Sequence, residues 1–101
     1  AAGAEATAAL LGDVTVKDLL KLVTGASMAP DASGVLMRTY SSVWYFRIGA
    51  GQTPAQALAG QPCALPIPME MQGESITFAE DGYRTVGEGA SPTLHAVRCT
   101  F

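Results

Sequence analysis

Basic residues are scarce in this sequence. Its 101 residues include six Lys and Arg against nine Asp and Glu, which gives a formal net charge of −3. Proteins that bind nucleic acids or anionic membranes gather Lys and Arg to neutralise phosphate groups. The sequence has no basic cluster of that kind. We therefore expect neither nucleic acid nor a membrane surface among the partners of this chain.

The sequence also lacks a continuous apolar run of about 18 residues, the length that a membrane-spanning helix requires. Its alanine-rich beginning has no basic segment of the kind that opens a secretory signal peptide. We expect a chain that is soluble as given, with an alanine-rich arm at residues 1–22 that is weakly ordered over residues 1–12. Within and just beyond this arm, residues 13–23 fit either a short helix, with Thr15 and Asp18 as a capping box, or a strand.

Charged residues make up only 15% of the chain, whereas hydrophobic residues make up 49%. This composition excludes a disordered acidic or basic tail, and the length fits one domain with a modest core. Few charges remain to cover the surface. Apolar faces are therefore expected to meet a partner.

Histidine and cysteine are rare as well. The sole histidine, His95, excludes a histidine-based metal cluster within one chain. The two cysteines, Cys63 and Cys99, lack the close spacing of a metal knuckle. They predict a disulfide and hence an oxidising compartment, and the alternative is a pair of buried thiols in a cytosolic core.

The clearest pattern in the sequence lies at residues 73–89, GESITFAEDGYRTVGEG. Ile76 and Phe78 alternate with smaller or polar residues, which is the period of a strand with one buried face. The pair Asp81-Gly82 is typical of a tight reversal. This stretch predicts a β-hairpin.

An earlier region, residues 23–51, predicts strand, turn, strand, turn, strand, because turn residues interrupt runs rich in Val, Thr and aromatics. Val35 and Met37 share one face of its middle strand, and Leu36 and Arg38 share the other. The run at 43–46, VWYF, has no polar face, which predicts a strand that is covered on both sides.

The segment between these regions, residues 52–72, predicts a connector. Thr53 and Pro54 are typical of the first residues of a helix, and Gly60 would end that helical turn. Prolines at 62, 66 and 68 remove backbone donors, so the remainder is not expected to be a central strand. After the hairpin, residues 93–99 alternate again and predict a last strand.

The two β regions form an internal repeat. Asp31 and Asp81 occupy equivalent turns 50 residues apart, and in each copy one strand precedes the turn and two follow it. The copies span about 23–51 and 73–101. Periods of this length with several short strands per unit are typical of propeller blades.

The residues that carry a family resemblance are Pro30-Asp31, Arg38-Thr39-Tyr40, Gly73-Glu74 and Gly87-Glu88-Gly89. With these, residues 20–101 resemble the last two blades of a family of secreted bacterial β-propeller proteins of mostly unassigned function. The resemblance implies a mainly β fold of two propeller-like blades with a short helical turn. It also implies, with the predicted disulfide, an extracellular or periplasmic location. The alternative fold is a small α+β domain with a single sheet.

Two blades do not close a ring, since propellers usually have four to eight. We therefore expect the chain to join further blades from other copies or from another chain of the same protein, and three copies would supply six blades. The expected function is a binding or scaffold module formed after this assembly. The alternative is part of a propeller hydrolase, lactonase or phosphoesterase-like, whose divalent-ion site forms only in the complete ring.

Three residues are candidates for a ligand or metal site, and none is assigned as catalytic: Glu74, Glu88 and Arg38. Glu74 resembles the carboxylate that lactonase and phytase-like propellers place at the channel mouth. Calcium is the ion considered there, although its six to eight oxygen ligands exceed what Glu74 and Glu88 supply. Arg38 lies mid-strand among apolar residues, so we expect an ion pair with Glu74 or Glu88, or a role in clamping an anion.

Overall fold

The computed structural model describes residues 5–10, 12–14, 22–70 and 72–101. This part of the chain contains one short helix and two antiparallel sheets, with strand orders β1-β2-β3-β4 and β5-β6-β7. The elements are β1 (Gly25–Met28), β2 (Gly34–Arg38), β3 (Val43–Arg47), α1 (Pro54–Leu58), β4 (Cys63–Leu65), β5 (Gly73–Ala79), β6 (Gly82–Gly87) and β7 (His95–Arg98). The mainly β fold class with two antiparallel sheets is confirmed, and the single-sheet alternative is wrong.

Both sheets are meanders in which each strand pairs with the next one along the chain. The predicted hairpin forms between β5 and β6, with Ala79 opposite Gly82. Its two loop residues are therefore Glu80 and Asp81, one position earlier than the predicted pair. Gly82 has φ of +147°, and a Cβ at this position would collide with the backbone of β7. Only glycine fits there.

The first sheet is covered on both faces, as the apolar run in β3 predicts. On one face Val35, Met37 and Phe46 form a buried cluster against Leu58 of α1. On the other face Leu36 and Val43 pack against the second sheet. Alternation along β2 and β3 thus directs neighbouring side chains into two separate cores.

The second sheet has one buried face and one polar face. Ile76 of β5 and Tyr83 of β6 belong to the core that the two sheets share, whereas Ser75 and Thr77 on the opposite face are exposed. Tyr83 is fully buried and donates a hydrogen bond from its hydroxyl to the carbonyl of Pro66. Burial raises the pKa of Tyr83 to about 12.

The first strand of each sheet is where the sheets meet most closely. β5 packs against β1 and β2. The hydroxyl of Thr24 donates to the carbonyl of Gly73 at 2.7 Å, and the amide of Phe78 donates to the hydroxyl of Ser27 at 3.2 Å. The first sheet ends at β4, which is the edge far from β5, and the next strand along the chain is β5.

The helix α1 begins where the sequence predicts. The Thr53 hydroxyl accepts a hydrogen bond from the Gln56 amide, the Gln56 side chain accepts one from the Thr53 amide, and Pro54 occupies the first turn. This capping box satisfies donors that a helix of five residues otherwise leaves open. The following segment differs from the prediction of a plain connector, because Cys63–Leu65 pairs with β3 as an edge strand. Prolines 62 and 66 flank this strand and limit it to three residues.

Cys63 and Cys99 are both free thiols in the structure, Cys63 exposed and Cys99 partly buried against the shared core. The structure therefore does not contain the predicted disulfide, and their pairing stays a prediction. The choice of helix or strand at 13–23 falls mainly on residues 15–21, which lie outside the described residues. In the part of the chain that is described, no helix has the length and apolar character to cross a membrane.

The core between the sheets predicts that substitutions of two leucines differ in their effect on the free energy of unfolding. Leu36 is completely buried there, whereas the side chain of Leu94 is 66% exposed. We expect Leu36→Ala to lower the free energy of unfolding by about 2–5 kcal/mol, because it removes apolar contacts and leaves a cavity. Leu94→Ala is expected to change it by no more than about 0.5 kcal/mol. Urea denaturation of both variants checks this, and equal losses would contradict the assignment of the core.

Candidate functional site

A buried ion pair joins the first sheet to the connector that leads to the second sheet. Arg38 lies on the inward face of β2 beside Leu36, and its side chain has no exposed surface. Its Nη1 lies 2.7 Å from Oε1 of Glu70, whose side chain is 2% exposed. A buried guanidinium requires such a partner. The expected partners, Glu74 and Glu88, are wrong, because Glu70 takes this place.

Two further hydrogen bonds from the Arg38 guanidinium go to backbone carbonyls, whereas its buried Nη2 has no hydrogen-bond partner among the described residues. Nε donates to the carbonyl of Thr39 at 2.9 Å, and Nη1 also donates to the carbonyl of Ser75 at 3.2 Å. Nη2 lies against Gly73, where any Cβ would overlap the guanidinium. Gly73 is thus required by the close approach of Arg38, and the guanidinium is locked in one orientation.

The carboxylate of Glu70 accepts hydrogen bonds from three side chains. Its Oε1 accepts from Arg38, and its Oε2 accepts from the Thr85 hydroxyl at 2.7 Å and lies 2.7 Å from Nδ1 of His95. Burial opposes ionisation of this carboxyl, but the hydrogen bonds from Thr85, Arg38 and His95 outweigh it and lower the pKa of Glu70. Glu70 is therefore an anion, and its charge is balanced by Arg38.

His95 is oriented by this anion. Because an ionised carboxylate only accepts hydrogen bonds, the Nδ1–H of His95 donates one to Oε2 of Glu70. In the neutral form of the imidazole, Nε2 then keeps a free lone pair. The imidazole is 31% exposed. A carboxylate-oriented imidazole of this kind can accept a hydrogen bond from a ligand, take up a proton or coordinate a metal.

A pocket of about 370 Å³ opens beside the His95 imidazole. It is lined by Glu70 at its inner side, by Glu88, and by the loop at 89–93, which contributes the hydroxyl-bearing residues Ser91 and Thr93. We call this the β6–β7 pocket, because its loop joins the end of β6 to the start of β7. Acceptor groups predominate among the side chains that line it.

The structure separates the three site residues that the sequence suggested. Glu88 lines the β6–β7 pocket and is exposed. Glu74 is half-buried on β5, and its carbonyl faces Gly25 of β1. Arg38 is buried beneath Glu70. Within the described ranges, no three His, Cys, Asp or Glu side chains lie together in a metal-binding group.

Sequence reasoning missed Glu70 and its contact with His95. Alternation does place Thr85 and His95 on the inward face of the second sheet, because they are directly opposite each other in the β6–β7 register. Glu70 follows a proline-rich stretch that has no periodicity. The signal that could have found it is the requirement of Arg38 for a nearby carboxylate.

Comparisons of the chain with protein-family models, with curated proteins and with solved structures found no match. The resemblance to a family of secreted bacterial propeller proteins therefore stays a prediction.

Loss of the Glu70 charge should destabilise the fold strongly. We expect Glu70→Gln to lower the free energy of unfolding by about 3–5 kcal/mol, because Arg38 then remains charged and buried without a counter-ion. The matched control is Glu80→Gln, which removes the same charge from an exposed turn and should change stability by no more than about 0.5 kcal/mol. Chemical denaturation at neutral pH measures both. A loss no greater than that of the control would contradict the role of the ion pair.

The lowered pKa of Glu70 also predicts how stability depends on pH. Relative to the ordinary value of 4.5, the folded state holds the carboxyl ionised to lower pH. The stability that the ionised Glu70 carboxyl contributes to the folded state is therefore fully present above pH 4.5. It is lost as the pH falls through the lower pKa of the folded state. We expect the stability of the wild type to fall more steeply below pH 4.5 than that of Glu70→Gln. Denaturation curves across this range check the difference, and parallel pH profiles would refute it.

Proposed function

We propose that this chain is a pair of β-propeller-like blades that serves as a non-catalytic binding or scaffold module after it assembles with further blades. The further blades come from other copies or from another chain of the same protein. An extracellular or periplasmic location belongs to the same proposal. It rests on the family resemblance and on the predicted pairing of Cys63 with Cys99.

The path of the chain between the sheets is the observation that carries this proposal. In a propeller, each blade is a meander, and the chain passes from the outer strand of one blade to the inner strand of the next. Here β1 and β5 lie side by side as inner strands, and residues 66–72 lead from the edge strand β4 to β5. The two inner strands are linked by hydrogen bonds from Thr24 and to Ser27.

The second sheet has three strands, one fewer than the first, and β7 is the edge strand that ends it. The amide of Cys99 donates to the carbonyl of Asp81, towards β6. Because amides alternate in direction along a strand, the Val97 amide also points towards β6, and the Ala96 and Arg98 amides point outward. These outward groups are free to pair with a strand from a neighbouring blade.

The hydrolase alternative has less support in the geometry. It requires Glu74, Glu88 and Arg38 around a divalent ion, but Arg38 is committed to Glu70, and only Glu88 of the three lines the β6–β7 pocket. A calcium site completed by other blades stays a prediction from the sequence.

Assembly through the β7 edge predicts the mass in solution and a contrast between two proline variants. We expect light scattering to give a multiple of the 10.4 kDa chain mass. Ala96→Pro removes an outward amide and should yield folded monomers, because edge strands tolerate proline where the amide faces solvent. Val97→Pro removes a bond to β6 and should unfold the second sheet.

A wild-type chain that is monomeric at all concentrations and melts cooperatively would overturn the assembly. An assembly that Ala96→Pro leaves intact would show that β7 is not the edge through which the copies join. Both measurements are repeated with and without reductant, so that a disulfide between Cys63 and Cys99 or between chains is detected.

A further inference from the structure

The β6–β7 pocket combines the imidazole of His95 with the carboxylate of Glu88. Nδ1 of His95 lies 2.7 Å from Oε2 of Glu70, so Nε2 is the acceptor of the neutral imidazole, and the side chain is 31% exposed. The Glu70 charge is balanced by Arg38. Glu88 also lines the pocket, and the described residues form no ion pair with it.

The other groups around the pocket also favour a ligand that donates hydrogen bonds and carries a positive charge. The hydroxyls of Ser91 and Thr93 can accept hydrogen bonds, and the described residues that line the pocket include no Lys or Arg. An anion would meet Glu88 without a compensating cation. An apolar ligand would leave the lone pair of His95 and the carboxylate of Glu88 without partners, which is unfavourable for binding. The complementary ligand carries a positive charge and N–H donors.

We propose that the β6–β7 pocket binds a primary ammonium group, which donates hydrogen bonds to Nε2 of His95 and to the carboxylate of Glu88. An ammonium has three donors and no acceptor, which suits a pocket lined by an imidazole, a carboxylate and two hydroxyl groups. Glu70 acts as a positioning residue, because it fixes the tautomer that makes Nε2 an acceptor. The site lies within one chain and does not depend on assembly with further blades.

The source of the ammonium is either a free amine or a lysine side chain of a peptide. Both present the same head group to His95 and Glu88. They differ in whether backbone on either side of the lysine adds contacts with the loop at 89–93.

The experiment is a titration of the isotope-labelled full chain with n-butylammonium, followed by backbone amide chemical shifts. We expect saturable shifts at residues 87–95. Tetramethylammonium has the same charge without N–H donors, and it should bind at least about threefold more weakly. A capped Gly-Lys-Gly peptide tests the second source, and a higher affinity than that of butylammonium assigns the site to peptide lysines.

Two variants test the roles of the named groups. Glu88→Gln should weaken binding of butylammonium at least about threefold, as expected for an exposed charge. His95→Ala should weaken it about tenfold through loss of the fixed acceptor. Glu80→Gln is the matched control, since Glu80 lies in the turn at the opposite end of β5 and β6, and its affinity should equal that of the wild type.

The Glu88→Gln variant keeps the test decisive, because Glu88 is exposed in a loop, and its replacement does not disturb the core. The proposal is overturned if butylammonium produces no saturable shifts at residues 87–95. It is also overturned if tetramethylammonium binds equally well, or if Glu80→Gln weakens binding as much as Glu88→Gln does. Assembly into larger species is measured separately by mass.

Discussion

The buried charge of Arg38 is the constraint on which the rest of the structure depends. A guanidinium with no exposed surface must find a counter-ion, and Glu70 of the connector supplies it. The same carboxylate accepts hydrogen bonds from Thr85 of β6 and His95 of β7. One ion pair therefore fixes the first sheet, the connector and the second sheet relative to one another, and it also sets the tautomer of the only histidine.

Local patterns in the sequence were sufficient to predict most of the individual elements. Thr53 and Gln56 cap the helix because their hydrogen bonds are made within four residues. The apolar run at residues 43–46 indicates a strand that is buried on both faces, and the alternation along β5 indicates a strand that is buried on one face. The strand that precedes each turn and the two that follow it are found in both copies of the repeat. These features are determined by residues that are close together in the sequence, so a sequence pattern is able to predict them.

The candidate site could not be predicted in the same way. Arg38 and Glu70 are 32 residues apart, and Glu70 and His95 are 25 apart, so their meeting depends on how the two sheets pack. Residues 66–70 have prolines and no period, which gives no indication of the direction of the Glu70 side chain. The edge strand β4 was missed for a related reason, since its three residues are held by pairing with β3 rather than by their own pattern.

Gly73 has a consequence for the evolution of this chain. The guanidinium of Arg38 occupies the space that a side chain at position 73 would fill, so the two positions form a single steric unit. A lineage that exchanged Arg38 for a shorter residue would open a void behind β5, and a larger residue at position 73 would then become favourable. Selection should therefore act on the pair, and drift at either position alone should be suppressed for as long as the other is retained.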